Sequence, residues 1–312
     1  MKKFLTLALA LVMALALVAC GGQPASTDEQ KPAEGDTTTT EKVEVPAVED
    51  LTSVDTSKIP GVEDGKLTVG MECKYAPYNW TQMDDSNGAV PIANNPGSYA
   101  NGYDVMIAKR ICEAYGWDLE IMAIDWDGLT PALASGQIDA VIAGQSMTPE
   151  RLQEVDMAGP YFYASIVCVT KKDSELANAK GISELKGSAT AQTGTIWYTT
   201  CLPQVEGAEV MPASESAPAM IMAVASGTVD FICTDMPTAM GACQTYPDLT
   251  ILDFSANEAD NFKVAQSDID IGISVSKGNT QLKDAMDKVL SALNADHFNA
   301  LMNEAVKVQP AI

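Results

Sequence analysis

The stretch ASGQIDAVIAGQSMTPER, residues 134–151, decides how the chain is expected to fold. Ile138–Ala143 is an unbroken apolar run of strand length, the kind a parallel sheet buries on both faces. Small and polar residues follow, Gly144 and Ser146 among them. Thr148 has the chemistry of a helix N-cap and Pro149 that of the first helical position, so a helix is expected to begin there. Arg151 then falls in the first turn, where the helix dipole disfavours a cation. Two explanations stand open at this point. Arg151 is a solvated surface charge, or it holds an anion that the helix end also attracts.

Working outward, ASGTVDFICTD (225–235) repeats the pattern Ala-Ser-Gly-x-(Ile/Val)-Asp followed by an apolar strand. Short echoes also arise by chance; a real one implies two lobes of similar construction. Its polar ends would be Gly144, Ser146 and Arg151 in one lobe and Thr234 and Asp235 in the other, and open α/β sheets bind ligands beyond the carboxyl ends of their strands. The remaining pattern alternates in the same way. Leu67–Met71 reads as a strand, and Asp104–Tyr115 as a helix closed by Gly116. Leu119, Ile121 and Ala123 alternate as a strand, and YFYASIVCVT restarts the rhythm after Pro160. This is an α/β pattern.

The net charge of the 312 residues is −23. Residues 21–65 contribute −8 of it, with eleven acids against three lysines, and Lys2 and Lys3 contribute +2, leaving −17 on residues 66–312. Such a surface is a poor match for nucleic acid or an anionic membrane. The first residues, MKKFLTLALALVMALALVAC, pair a basic start with an apolar run too short to span a bilayer, so 1–19 reads as a signal peptide. Leu17-Val18-Ala19-Cys20 has the form of a bacterial lipobox, with Cys20 as the lipidated residue. Residues 20–65, without a single aromatic, are expected to form a disordered acidic tether. Beyond Cys20 the six cysteines Cys73, Cys112, Cys168, Cys201, Cys233 and Cys243 form no Cys-x-x-Cys pair, and buried thiols are favoured over disulfides. No metal or cofactor is implied.

Several motifs together resemble the polar amino-acid-binding lipoproteins of bacterial ABC importers, family 3 of the extracellular solute-binding proteins. These are LTVGMECKYAPYNW, ANGYDVMIAKRI, WDGLTPALASGQIDAVIAGQSMTPER, VDMAGPYFYAS, AQTGT and VDFICTDMP. The resemblance covers Lys66 to the C-terminus. It implies an α/β, two-lobed periplasmic-binding-protein fold (type II) with two hinge crossings and the ligand in the interlobe cleft. Lobe one would comprise 66–163 plus 267–312 and lobe two 164–266, with crossings near Tyr161–Ser165 and Ala265–Ile269. Matched motif to motif, Arg151 falls on the residue that grips a ligand α-carboxylate and Asp235 on the one that takes the α-ammonium. Gly144, Ser146 and Thr195 add polar contacts. Tyr75 and Trp126 fall on the aromatics that sandwich the side chain, and Glu72 on an acidic position facing its distal end. Gln192 and Ile196 occupy positions that vary with ligand, and 81–101, a longer loop than the family minimum, could bring Trp80, Gln82, Asp84 or Asp85 to the pocket.

The resemblance further implies a monomer that hands a basic or amide L-amino acid to an ABC permease while lipid-anchored outside the cell membrane. A sensor or surface receptor is one alternative, and a cyclohexadienyl dehydratase-like enzyme on the same fold another. The only histidine, His297, lies far from every pocket motif, and no Gly-x-Ser-x-Gly elbow occurs, which leaves no Ser-His-Asp arrangement. A carboxylate pair such as Glu72 and Asp127 is the enzyme reading's remaining candidate. The chain is therefore expected not to be an enzyme.

Overall fold

The computed structural model describes residues 43–310. Cys20, the signal segment 1–19 and the tether up to residue 42 lie outside the described residues, as do 311–312. β1 (Lys66–Met71) is followed by four short strands, β2 (Lys74–Tyr75), β3 (Asn79–Gln82), β4 (Val90–Pro91) and β5 (Tyr99–Asn101). Next come α1 (Tyr103–Tyr115), β6 (Asp118–Ala123), α2 (Trp126–Ala134), β7 (Ala140–Ser146), α3 (Arg151–Glu154) and β8 (Val155–Tyr163). The middle of the chain supplies β9 (Ile166–Lys171), β10 (Lys186–Thr190), β11 (Gly207–Val210), α4 (Ala217–Ser226), β12 (Phe231–Asp235), α5 (Met236–Thr245) and β13 (Leu249–Leu252). It returns through α6 (Gln266–Ile269), β14 (Asp270–Ser276), α7 (Thr280–Leu290) and α8 (Ala295–Val308).

These elements build two five-stranded sheets of matching design, ordered β6-β1-β7-β14-β8 in lobe one and β11-β10-β12-β9-β13 in lobe two. In each, three parallel strands are joined by a fourth that runs antiparallel, β14 against β7 and β9 against β12. The echoed hexapeptide has a mechanical role in both. Asp139 accepts the Thr68 N–H of β1 at 2.8 Å, and Asp230 accepts the Ser188 N–H of β10 at 2.8 Å. The backbone returns the favour, since the N–H of each aspartate donates to the carbonyl of the same residue, Thr68 or Ser188. The preceding glycines, Gly136 at φ 72° and Gly227 at φ 77°, stop α2 and α4 in the left-handed conformation that glycine adopts without strain. The repeat is thus the same helix stop and strand lock used twice.

The lobes exchange chain between Tyr163 and Ile166 and again between Leu252 and Asp270. The crossings touch, Ala164 N–H donating to Ile269 O at 2.8 Å. Ser165 O accepts from Met236 N at 3.0 Å, which ties the first crossing to the start of α5.

Three expectations need correction. Residues 43–65, assigned to a disordered tether, are packed on lobe one. Leu51 N–H donates to Ala114 O at 2.7 Å, Arg110 Nη2 to Pro46 O at 2.7 Å and Trp117 Nε1 to Thr56 Oγ1 at 3.1 Å, while Leu51 and Val62 are buried. The compositional rule asks whether a segment can bury its own surface; here the finished lobe supplies the partner surface. Second, the helix expected from Thr148 is a single turn, Arg151–Glu154, with Thr148 Oγ1 accepting the Arg151 N–H at 3.2 Å. A four-residue turn sums few peptide dipoles, so it contributes little field to an anion. Third, no residue of 81–101 lines the main cavity between the lobes. It folds into a small sheet, β2-β3-β5-β4, in which Gln82 binds Asp84 and Ser86 and accepts from Trp80 Nε1 at 3.1 Å.

All six described cysteines are free thiols. Cys168 and Cys233 face each other across β9 and β12. Among the described residues no helix is long and apolar enough to cross a membrane.

Removing residues 1–65 should lower the melting temperature relative to a chain beginning at residue 43, because the sites of Leu51 and Val62 would be emptied at about 1.5–3 kcal/mol each. Calorimetric scans of the two truncations check this; identical midpoints would mean that the segment adds no stability.

Candidate functional site

A cavity of about 680 Å³ opens between the lobes at the carboxyl end of β7 and the loop that follows β10. Seven of the nine expected ligand residues line it: Tyr75, Trp126, Gly144, Ser146, Arg151, Gln192 and Thr195. The other two, Glu72 and Asp235, are buried just behind, each hydrogen-bonded to a lining residue.

Arg151 is set on its one-turn helix so that Nη1 donates to Ser146 O and the guanidinium carbon lies 5.8 Å from the Trp126 ring centre. Among the described residues it belongs to no ion pair. Burial holds its pKa below the ordinary arginine value, against the pull of the nearby Glu154 carboxylate, as expected of a charge that has lost water without forming a close ion pair. A planar fork in that condition suits a bidentate carboxylate. Thr195 approaches from lobe two, in a turn that its hydroxyl closes on Gln192 O at 2.7 Å.

Trp126 opens α2. Its neighbour Asp125 pairs with Lys74 at 2.7 Å, which holds the start of α2 beside β2 and therefore beside Tyr75. Across the cavity Gly194, at φ 64°, comes so close that a Cβ there would lie 2.9 Å from Trp126 Nε1. Gly144, at φ 65°, is overlain by Tyr75 in the same way, its hypothetical Cβ 2.9 Å from Cε1. Both glycines are required where two parts of the cleft wall meet.

Tyr75 spans the lobes, donating its hydroxyl to Asp235 Oδ2 at 3.0 Å. Asp235 also caps α5, its Oδ1 accepting the Thr238 N–H at 2.8 Å. Burial raises its pKa, and these donors pull it back. The second bridge is Gln192 Nε2 to Glu72 Oε2 at 3.3 Å. Glu72 Oε1 is buried with no partner, and burial pushes the carboxyl up to about 7, eased by Gln192 and Lys74. An unpartnered carboxylate oxygen at such a place is a vacancy for a donor.

The cavity also takes in residues that the motifs did not single out: Glu150 and Glu154 from lobe one, Asp268 from the second crossing, and Trp197 and Thr199 from lobe two. Asp127, weighed earlier only as half of an enzymatic pair, lines it too. Four carboxylates against one guanidinium give the lining a strong cation preference. Trp197 was findable as the aromatic two residues after the AQTGT motif; Asp268 was not, since it arrives from the second crossing. Trp80, Gln82, Asp84 and Asp85 take no part in the lining, and His297 serves in the N-terminal cap of α8.

Comparison with known proteins identifies the family and the fold. The family model of the bacterial extracellular solute-binding proteins, family 3, matches residues 67–306. A probable histidine-binding protein of Campylobacter jejuni is 27% identical over 250 residues, covering 80% of each chain. The arginine-binding extracellular protein ArtP of Bacillus subtilis is 27% identical over 197 residues, a match that spans 63% of this chain and 58% of that relative. Among solved structures, an amino-acid ABC transporter substrate-binding protein of Streptococcus pneumoniae bound to L-arginine is 26% identical, with a TM-score of 0.65 over 78% of this chain and 96% of that one. Two lobes crossed twice, a cleft at their strand ends and a family match along most of the chain lead to one conclusion: this chain belongs to the bacterial extracellular solute-binding proteins, family 3.

Proposed function

We propose that the protein captures a cationic L-amino acid of the arginine type outside the cytoplasm and presents it to an ABC permease in the membrane. The observation that carries this reading is the pairing of an unpaired, desolvated Arg151 with a carboxylate-rich cavity backed by the partnerless Glu72 Oε1. The ligand's α-carboxylate would lie on Arg151, Ser146 and Thr195. Its ammonium would lie at Asp235, whose carboxylate has acceptor sites beyond those used by Tyr75 and Thr238. The side chain would run between the rings of Tyr75 and Trp126, whose faces attract a cation. Its distal donors would reach the Gln192–Glu72 pair. An acidic ligand would meet Glu72 with like charge, and an aliphatic one would leave it unpaired, at about 1–3 kcal/mol per buried group. The names of the Bacillus and Campylobacter relatives support the basic class.

A thermal-shift panel of the amino acids on the chain from residue 43 should show the largest rise with arginine, lysine, ornithine or histidine. Glutamate or leucine in first place would overturn the cationic assignment. By calorimetry Arg151→Ala should weaken binding at least a hundredfold, since stranding one half of a buried pair costs about 3–5 kcal/mol. Near-native affinity would remove Arg151 from the site.

Affinity for L-arginine should also depend on pH. Burial pushes the Glu72 carboxyl up to about 7, and a cation beside it stabilises the ionised form. Binding then releases a proton below that pH, so affinity climbs from pH 5 towards 7 and levels above it. Glu72→Gln should flatten the slope in isothermal titrations; an unchanged slope would place the titrating group elsewhere.

We further assign Cys20 as a lipid anchor, on the strength of its lipobox sequence alone. Cys20→Ala should appear in the soluble fraction of fractionated cells, and continued membrane association would count against the assignment.

A further inference from the structure

Lobe one buries a carboxylate that touches no cleft residue directly yet stands at the junction of two hydrogen-bond chains leading to them. Asp104, the second residue of α1, is fully buried. Its Oδ2 accepts from Asn79 Nδ2 at 2.7 Å, and Asn79 Oδ1 in turn accepts the Cys73 N–H at 2.7 Å. Its Oδ1 accepts from the Tyr161 hydroxyl at 2.7 Å, and the Tyr161 oxygen accepts the Gly144 N–H at 2.9 Å. Both chains carry the same polarity: a backbone amide donates to a side chain, which donates to the carboxylate. Such chains strengthen along their length in a low-dielectric interior.

The two amides are placed where backbone control counts. Cys73 sits at φ 56°, a left-handed conformation that a side-chain-bearing residue holds only when its surroundings impose it. It separates Glu72 from β2 and Tyr75. Gly144, at φ 65°, sets the end of β7 from which Ser146 points into the cleft. Tyr161 belongs to β8, the strand that feeds the first crossing, and its carbonyl accepts the Tyr103 hydroxyl.

We propose that Asp104 is the positioning residue of the ligand site, one carboxylate that holds the Glu72–Tyr75 loop through Asn79 and the Gly144–Ser146 loop through Tyr161. This rests on the reading of the cleft as an amino-acid site. The groups that face Asp104 are Cys73 from the β1–β2 link, Tyr78 from the β2–β3 loop, Tyr161 from β8, Asp235 from lobe two and Tyr103 from its own helix. None is cationic, and burial raises the carboxyl to about 7 against the pull of its two donors.

An exchange of partners provides the test. In Asp104→Asn, the amide can accept from one of the two donors but turns its own NH2 towards the other. In Asn79→Asp, two carboxylates face each other. Each should weaken L-arginine binding at least tenfold by calorimetry. The double variant Asp104→Asn with Asn79→Asp restores every donor to an acceptor, and should return the affinity to within about threefold of wild type. A double variant no better than the worse single one would overturn the proposal, as would native affinity in Asp104→Asn. Tyr161→Phe removes one hydroxyl and serves if the other variants fold poorly; it should raise amide hydrogen exchange at Gly144 and leave Cys73 protected. Equal protection at Gly144 in wild type and Tyr161→Phe would also overturn the proposal. Exchange needs no ligand, so a wild type that binds no amino acid would end the cleft reading while the relay is still decided.

Discussion

The hydrogen bond from Ala164 to Ile269, where the two crossings meet, marks the constraint on which the architecture depends. Lobe one is not a continuous piece of chain: lobe two is inserted between β8 and β14. Lobe two begins with β9, the strand delivered by the first crossing, and lobe one is completed by β14, delivered by the second. Because β14 lies antiparallel between β7 and β8, lobe one's sheet is not whole until the chain has returned from lobe two. The end of β7 and the loop after β10 therefore face each other across a gap spanned by the two crossings, and hinge closure of this kind needs only a few residues to change conformation.

Within that gap charge and water oppose each other. Arg151, Asp235 and Glu72 are all displaced from their ordinary pKa values in the direction that burial dictates. Two of the three are partly compensated by bridges between the lobes, Tyr75 to Asp235 and Gln192 to Glu72. These bridges use protein donors where ligand donors are proposed to go. Arg151 has a carbonyl, an aromatic face and the more distant charge of Glu154, and no close ion pair. Of the buried charges it stands to gain most from a partner of opposite sign.

Much of this was legible in the sequence because it rests on local rules. The helix stop at Ser-Gly and the strand lock at Asp recur in both lobes, so the echo at 134 and 225 carried real architecture. Seven of the nine expected ligand residues line the cavity because the strand-end rule and the family's motifs point to the same loops. What escaped was non-local. Residues 43–65 look unfoldable until the surface that receives Leu51 exists. The turn at Arg151 is cut short by β8, which starts at Val155. Asp268 and Trp197 reach the cavity along chain paths that no short motif encodes. The hub at Asp104 was hidden for a related reason: in the sequence it is one acid at the start of an amphipathic helix, and only the fold brings Asn79 and Tyr161 to its two oxygens.

The meeting of Trp126 with Gly194 has a consequence for how the lobes settle against each other. The clearance between Nε1 and that backbone is less than a methyl group, so the contact acts as a mechanical stop with almost no slack. A conformer in which the lobes sit even slightly askew loses the contact altogether, because packed surfaces have discrete arrangements and little compliance. Apparent affinity scales with the fraction of molecules in the competent conformer. The shape of one backbone position on the far wall thus bears on the arrangement in which the lobes meet, through Trp126, a residue that also lines the cavity.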